Sequence, residues 1–166
     1  MDITSSIVIT GVAYIKDVKA NQVEGGQFTS GSWITRVLNT LSVDSRTNWI
    51  SLSSNQFTLQ PGTYRIEAAI PFFMTDRTKS RLRNITSGTT QLDISGNAIV
   101  AVDHASSSQI GGNKTILYGT FSITSAMVFE IQQYAQTTRV TNGLGTAGSD
   151  STDVEVYTQV KIQKVL

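Results

Sequence analysis

The chain has no cysteine, one histidine and two prolines among its 166 residues. The first absence excludes disulfide staples, thiolate-held zinc and cysteine nucleophiles together. The single His104 excludes a metal centre of the cupin type, which relies on several histidines. Charge is scarce as well. Charged residues make up 15% of the chain, against about 25% in an ordinary domain. The 13 basic and 12 acidic side chains leave a net charge of +1. Such a balance supplies no bulk field for a polyanion or an anionic bilayer, so non-specific nucleic-acid binding is not expected. No run approaches the ~18 apolar residues of a membrane span. The start, MDITSSIVITG, has neither the basic opening nor the long apolar stretch of a secretory signal. Helical periodicity is missing too. Residues 34–41 come nearest, and their Thr, Val and Ile content favours a strand.

What is present is Ser, Thr, Asn and Gln on the polar side, and short runs of Val, Ile, Phe, Tyr and Thr separated by 13 glycines. This is the texture of an all-β domain. The clearest strand spans residues 63–73, with Tyr64, Ile66, Ala68 and Ile70 on one face and Arg65, Glu67 and Ala69 on the other. Gln60-Pro61-Gly62 launches it with a turn. Upstream, residues 49–53 and 57–59 read as a hairpin turning at Ser54-Asn55. Residues 117–124 and 128–135 form a second hairpin, and 154–165 a buried closing strand. Weaker strands are expected at 12–18, 34–38, 80–85, 91–94 and 99–102. About ten strands at this spacing define a single sandwich or barrel. Residues 105–113 and 141–153 are small, polar and Gly-rich, and read as long loops.

Catalysis finds little support. A Ser/His/Asp set has only His104 for its base, and the adjacent Asp103 points to the opposite face of a strand. Asp76, Asp93, Asp103, Glu130, Asp150 and Asp153 are not brought into pairs by any spacing. Asp150 and Asp153 lack the dense acids of a calcium loop, and Gly143-Leu144-Gly145 opens no phosphate-binding helix. No enzyme, cofactor or metal site is expected. The one charge concentration is Arg77, Lys79, Arg81 and Arg83, which a strand sets along one face. Such a row either guards an edge strand against unwanted pairing or grips an acidic glycan, a phosphate or an acidic protein patch. Trp33 and Trp49 either stack on sugars or belong to a core or subunit interface.

Residues 48–73, NWISLSSNQFTLQPGTYRIEAAIPFF, resemble the central signature of the tumour necrosis factor/complement globular-head (C1q-like) superfamily. In that signature a strand with a Phe leads through a Pro-Gly turn into a Tyr-containing core strand. The likeness continues through Gly119-Thr120-Phe121, Phe129-Glu130-Ile131 and Val156-Tyr157-Thr158-Gln159-Val160. The segments at residues 15–20, 25–26 and 33–39 resemble a version of the domain met in bacteriophage tail and other virion proteins. The resemblance implies a ten-stranded antiparallel jelly roll that assembles as a homotrimer. Outward aromatics suit such an interface, and Tyr118, Tyr134 and Tyr157 are its candidates.

The sequence shows no collagen-like stalk, membrane anchor or superfamily cysteines, which turns the expectation from a cytokine-like role to a virion component. The expected molecule is a non-enzymatic homotrimeric phage tail protein, displayed on the virion after assembly in the host cytoplasm. It recognises the host surface through multivalent loops; the alternative is a purely structural decoration or connector protein. Its partners are itself, other virion proteins and a host-surface glycan, without nucleic acid or membrane insertion. The expected contact residues are Arg77, Lys79, Arg81, Arg83, Gln109, Asn113, Asn142 and Asp150. Residues 1–11 form a docking arm in which Ile3, Ile7 and Ile9 add a strand to a neighbour, and residues 12–166 form the domain.

Overall fold

The computed structural model describes residues 7–44, 48–98, 112–148 and 152–166, with residues 91–98 and 112 described in their backbone only. Among the described residues eleven strands follow one another and there is no helix. They are β1 (Ile9–Lys19), β2 (Ile34–Thr35), β3 (Thr40–Val43), β4 (Ile50–Ser53), β5 (Gln56–Leu59) and β6 (Gly62–Phe73). After these come β7 (Thr78–Asn84), β8 (Thr89–Ala98), β9 (Gly112–Ile123), β10 (Met127–Ala135) and β11 (Glu155–Val165). One sheet runs β3-β1-β11-β6-β9; the other runs β4-β5-β10-β7-β8, with β2 added on β10. All pairings are antiparallel. From β5 onward the chain crosses between sheets repeatedly, which makes the sandwich a jelly roll.

The sandwich forms because alternate residues of both sheets are apolar. Ala13, Ile15, Tyr64, Ile66, Ile70, Leu117, Val160 and Ile162 of the first sheet meet Phe57, Leu59, Leu82, Phe129 and Ile131 of the second. Each large side chain so buried contributes about 1.5–3 kcal/mol. Aromatic rings tie the layers: Trp49 stacks on Tyr64 at 5.7 Å between centroids, and Phe121 packs on Phe129 at 5.4 Å. Gly11 makes room for this, since a Cβ there would lie 2.6 Å from Trp49 Nε1. The Ser54-Asn55 turn has φ of 52° and 65° at its two residues, the type I′ geometry that a two-residue hairpin prefers.

Most of the expected strands are found; the differences lie where the chain changes sheet. The expected strand at 34–38 is cut to Ile34–Thr35, and an unexpected strand, Thr40–Val43, follows. Between them the chain leaves β10 and joins β1, with Asn39 donating to Val18 O and accepting from Val18 N through its side chain. The expected strand at 99–102 lies outside the described residues.

Candidate functional site

At one end of the sandwich a polar island interrupts the core. Arg36 is wholly buried and donates from Nε to Thr158 Oγ1 at 2.9 Å, from Nη1 to Gln133 Oε1 at 2.9 Å and Pro71 O at 3.3 Å, and from Nη2 to Leu144 O at 2.9 Å. One guanidinium thus joins β11, β10, β6 and the 143–145 turn. Asp17, also fully buried, has Lys19 Nζ at 3.8 Å. Its carboxylate oxygens accept no hydrogen bond among the described residues. Burial raises the Asp17 pKa, against the pull of Lys19 and Arg36, and lowers that of Arg36 to about 10, which Asp17 partly offsets. Both residues lie in the segments 15–20 and 33–39 that carry the resemblance, yet the sequence gives neither a role, because only long-range packing brings them into the core. This island is an internal brace without an opening for a substrate. Among the described residues no three His, Cys, Asp or Glu side chains come together for a metal.

The two outward faces of the sandwich differ in chemistry. On the first sheet, Tyr14, Ala69, Ile116 and Tyr118 line a shallow groove of about 500 Å³, edged by Lys16, Arg65, Glu67, Gln159 and Lys161. Tyr118 is 73% exposed, Tyr14 45% and Ile116 44%. Arg65 and Glu67 form an ion pair at 3.0 Å within this face. Large apolar side chains side by side in water mark a contact surface.

On the second sheet the outward face is polar. Arg77, Lys79, Arg81 and Arg83 lie on it, because Thr78, Ser80, Leu82 and Asn84 point inward. In register, Tyr134 stands opposite Lys79, Gln132 opposite Arg81 and Glu130 opposite Arg83. The Arg81 guanidinium lies 3.9 Å from the Trp33 ring centroid and donates from Nε to Gln132 Oε1 at 2.7 Å. Trp33 in turn meets Tyr134 at 5.7 Å. Glu130 is buried and accepts from Thr35 Oγ1, Gln56 Nε2 and Gln132 Nε2. Burial, and secondarily Arg83, lowers the Arg81 pKa, while Glu130 acts the other way. Because β7 lies between β10 and β8, the basic row does not guard a sheet edge.

The three candidate interface tyrosines go to three places. Tyr118 is outward on the first sheet and Tyr134 is half-buried on the outward face of the second. Tyr157 is covered: it is 5% exposed, donates to Val23 O at 2.7 Å, and has Gly145 against its ring. Burial and the nearby carboxylates Glu155, Glu24 and Asp17 push its pKa up to about 12.

The loop residues also shift roles. Asn113 belongs to β9 and pairs with Phe72, so it is not a loop residue. Asn142 accepts from Arg139 Nε at 3.1 Å and reaches Glu24 Oε1 at 3.5 Å, which commits it to the fold. The turn at 143–145 is packed rather than free: Leu144 is buried, Gly143 O accepts from Phe73 N, and Gly145 O from Gly25 N. Ile9 pairs with Val165 in its own sheet, whereas Ile7 is 68% exposed. Ile3, His104, Gln109 and Asp150 lie outside the described residues. Trp49 is core and Trp33 surface.

Neither a family model nor a curated protein sequence matches the chain. Solved structures do. Murine APRIL at pH 5.0 is similar with a TM-score of 0.59 and 10% identity, covering 93% of this chain and 98% of that one. The globular domain of zebrafish complement 1qA protein is similar with a TM-score of 0.53 and 12% identity, over 95% and 97% of the two chains. The fold is therefore the TNF/C1q-like jelly roll. At these identities the likeness fixes the fold and leaves function to be argued from the surfaces.

Proposed function

We propose that the protein is a non-enzymatic recognition module that assembles as a homotrimer through the outward face of the first sheet. In this reading it belongs to the tail of a bacteriophage particle, where three copies display their outer surfaces to the host. The observation that carries the reading is the exposed Tyr14, Ile116 and Tyr118 cluster, apolar side chains of the kind that association covers. The resemblance to the virion version of the fold supports the location. Trimeric display lets individually weak contacts add through avidity.

A second reading, a purely structural connector or decoration protein, is favoured by one feature. Ile7, Val8, Ile9 and Leu166 are exposed together where Leu166 N bonds to Val8 O. That apolar corner suits attachment to a neighbouring virion protein, and both roles can coexist in one molecule.

Tyr118→Glu places a charge in the centre of the proposed interface and tests the reading. We expect this variant to lose self-association and to bind host cells at least about tenfold more weakly, as the loss of avidity requires. An unchanged mass in solution would contradict the assignment of this face. Lost self-association with undiminished cell binding would contradict the multivalent mechanism.

A further inference from the structure

The basic row on β7 has no structural task that its position explains. An interior strand needs no protection from edge pairing, and like charges set side by side work against the fold. Among the described residues none of Arg77, Lys79, Arg81 and Arg83 is in an ion pair. Glu130, which stands opposite Arg83 in register, takes hydrogen bonds from Thr35, Gln56 and Gln132 rather than from the row. The Arg81 guanidinium sits over the Trp33 ring, 3.9 Å from its centroid, and Arg83 donates to Thr90 Oγ1 at 3.4 Å. Arg81 and Arg83 are thus oriented by neutral partners, and no ion pair among the described residues engages the row.

We infer that the outward face of β7 and β10 binds an acidic polysaccharide chain, with Lys79 and Arg83 engaging its carboxylate or sulfate groups. Alternate residues of a strand stand about 6.6 Å apart, so Lys79, Arg81 and Arg83 span about 13 Å of β7, with Arg77 just ahead of the strand. That is a track for a linear polyanion rather than a pocket for a small ion. The flanking surface of β4 and β5 offers hydroxyl groups from Ser51, Ser53 and Thr58. These suit a hydroxyl-rich ligand, and the half-buried Tyr134 supplies an apolar edge for a sugar ring. Nucleic acid fits less well. Single-strand binding surfaces present open aromatic faces to bases, and here the Arg81 guanidinium already covers Trp33. An acidic protein fits less well too, because Arg81 lies over Trp33 and the one apolar side chain between Arg77 and Arg83, Leu82, points into the core.

The inference deepens the reading of the molecule as a recognition module by naming its ligand class, and rests on that reading for avidity alone. Its test is binding of the full chain to dextran sulfate and to polygalacturonate, with neutral dextran and single-stranded DNA as references, at two salt concentrations. The variants are Lys79→Glu and Lys79→Glu/Arg83→Glu. We expect salt-sensitive binding to at least one acidic polysaccharide and none to dextran. The double variant should bind about tenfold or more weakly, since two charge-assisted contacts are lost. Lys79 is exposed, so the single variant keeps the fold and should show a smaller loss in the same direction. Wild-type affinity in a folded variant, absence of binding to both acidic polysaccharides, or equal binding to dextran overturns the inference. Tighter binding to DNA than to either polysaccharide overturns it in favour of nucleic acid. A Tyr118→Glu protein that remains trimeric would defeat the interface assignment and leave this inference standing; wild-type polysaccharide affinity in the Lys79 and Arg83 variants would do the reverse.

Discussion

Arg36 is the residue on which the end of the sandwich depends, since its donors reach β6, β10, β11 and the 143–145 turn at once. Removing it strands Gln133, Thr158 and two carbonyls in a dry interior and leaves Asp17 without its compensating charge. Arg36→Met should therefore lower stability by about 3–5 kcal/mol in urea unfolding. Arg36→Lys should restore only part of that, because an ammonium has no planar fork. A loss below about 1 kcal/mol in Arg36→Met would show the island to be dispensable. Asp17 makes a pH prediction of definite sign. Its native pKa lies above 3.8 because of burial, so the native chain keeps a proton that the unfolded chain has lost. Stability must then fall as pH rises from about 3.8 through the native value. Asp17→Asn should flatten that part of the profile, and an unaltered slope would refute the assignment.

At the scale of elements, the glycines of the 143–145 turn serve packing. Gly145 has φ of 135°, and a Cβ on it would lie 2.5 Å from Tyr157 Cδ1. Gly145→Ala should accordingly cost about 1–3 kcal/mol, and thermal unfolding at or above the wild-type temperature would contradict this packing. The sequence gives no such hint, because GLG in a Ser/Gly/Thr tract reads as a loose loop until Phe28, Arg36 and Tyr157 are brought against it. A strand whose faces alternate cleanly, such as β6, was legible from periodicity alone. β3 was not. Its four residues follow an inward-facing Arg36 and a change of sheet, so no single apolar alternation spans residues 34–43. The basic row was legible as a row of cations on one face. Its interior place in the sheet was not, since strand order depends on long-range pairing. Tyr157 was misread for a related reason: the local pattern turns it away from the core, and distant segments then cover it.

The whole molecule has two unlike faces. One carries Tyr14, Ile116 and Tyr118, and the other a basic track set among hydroxyl and amide groups. Because the sheets pack face to face, covering the first leaves the second open, which is the arrangement a multivalent binder needs. The near-neutral chain of 166 residues conceals this asymmetry, so composition alone did not point to an anionic ligand. The central claim is the assembly, and the mass of the protein in solution by light scattering at two concentrations tests it most directly. The account predicts three times the 18.0 kDa of the chain, unchanged on dilution. A mass of one chain at both concentrations would contradict it.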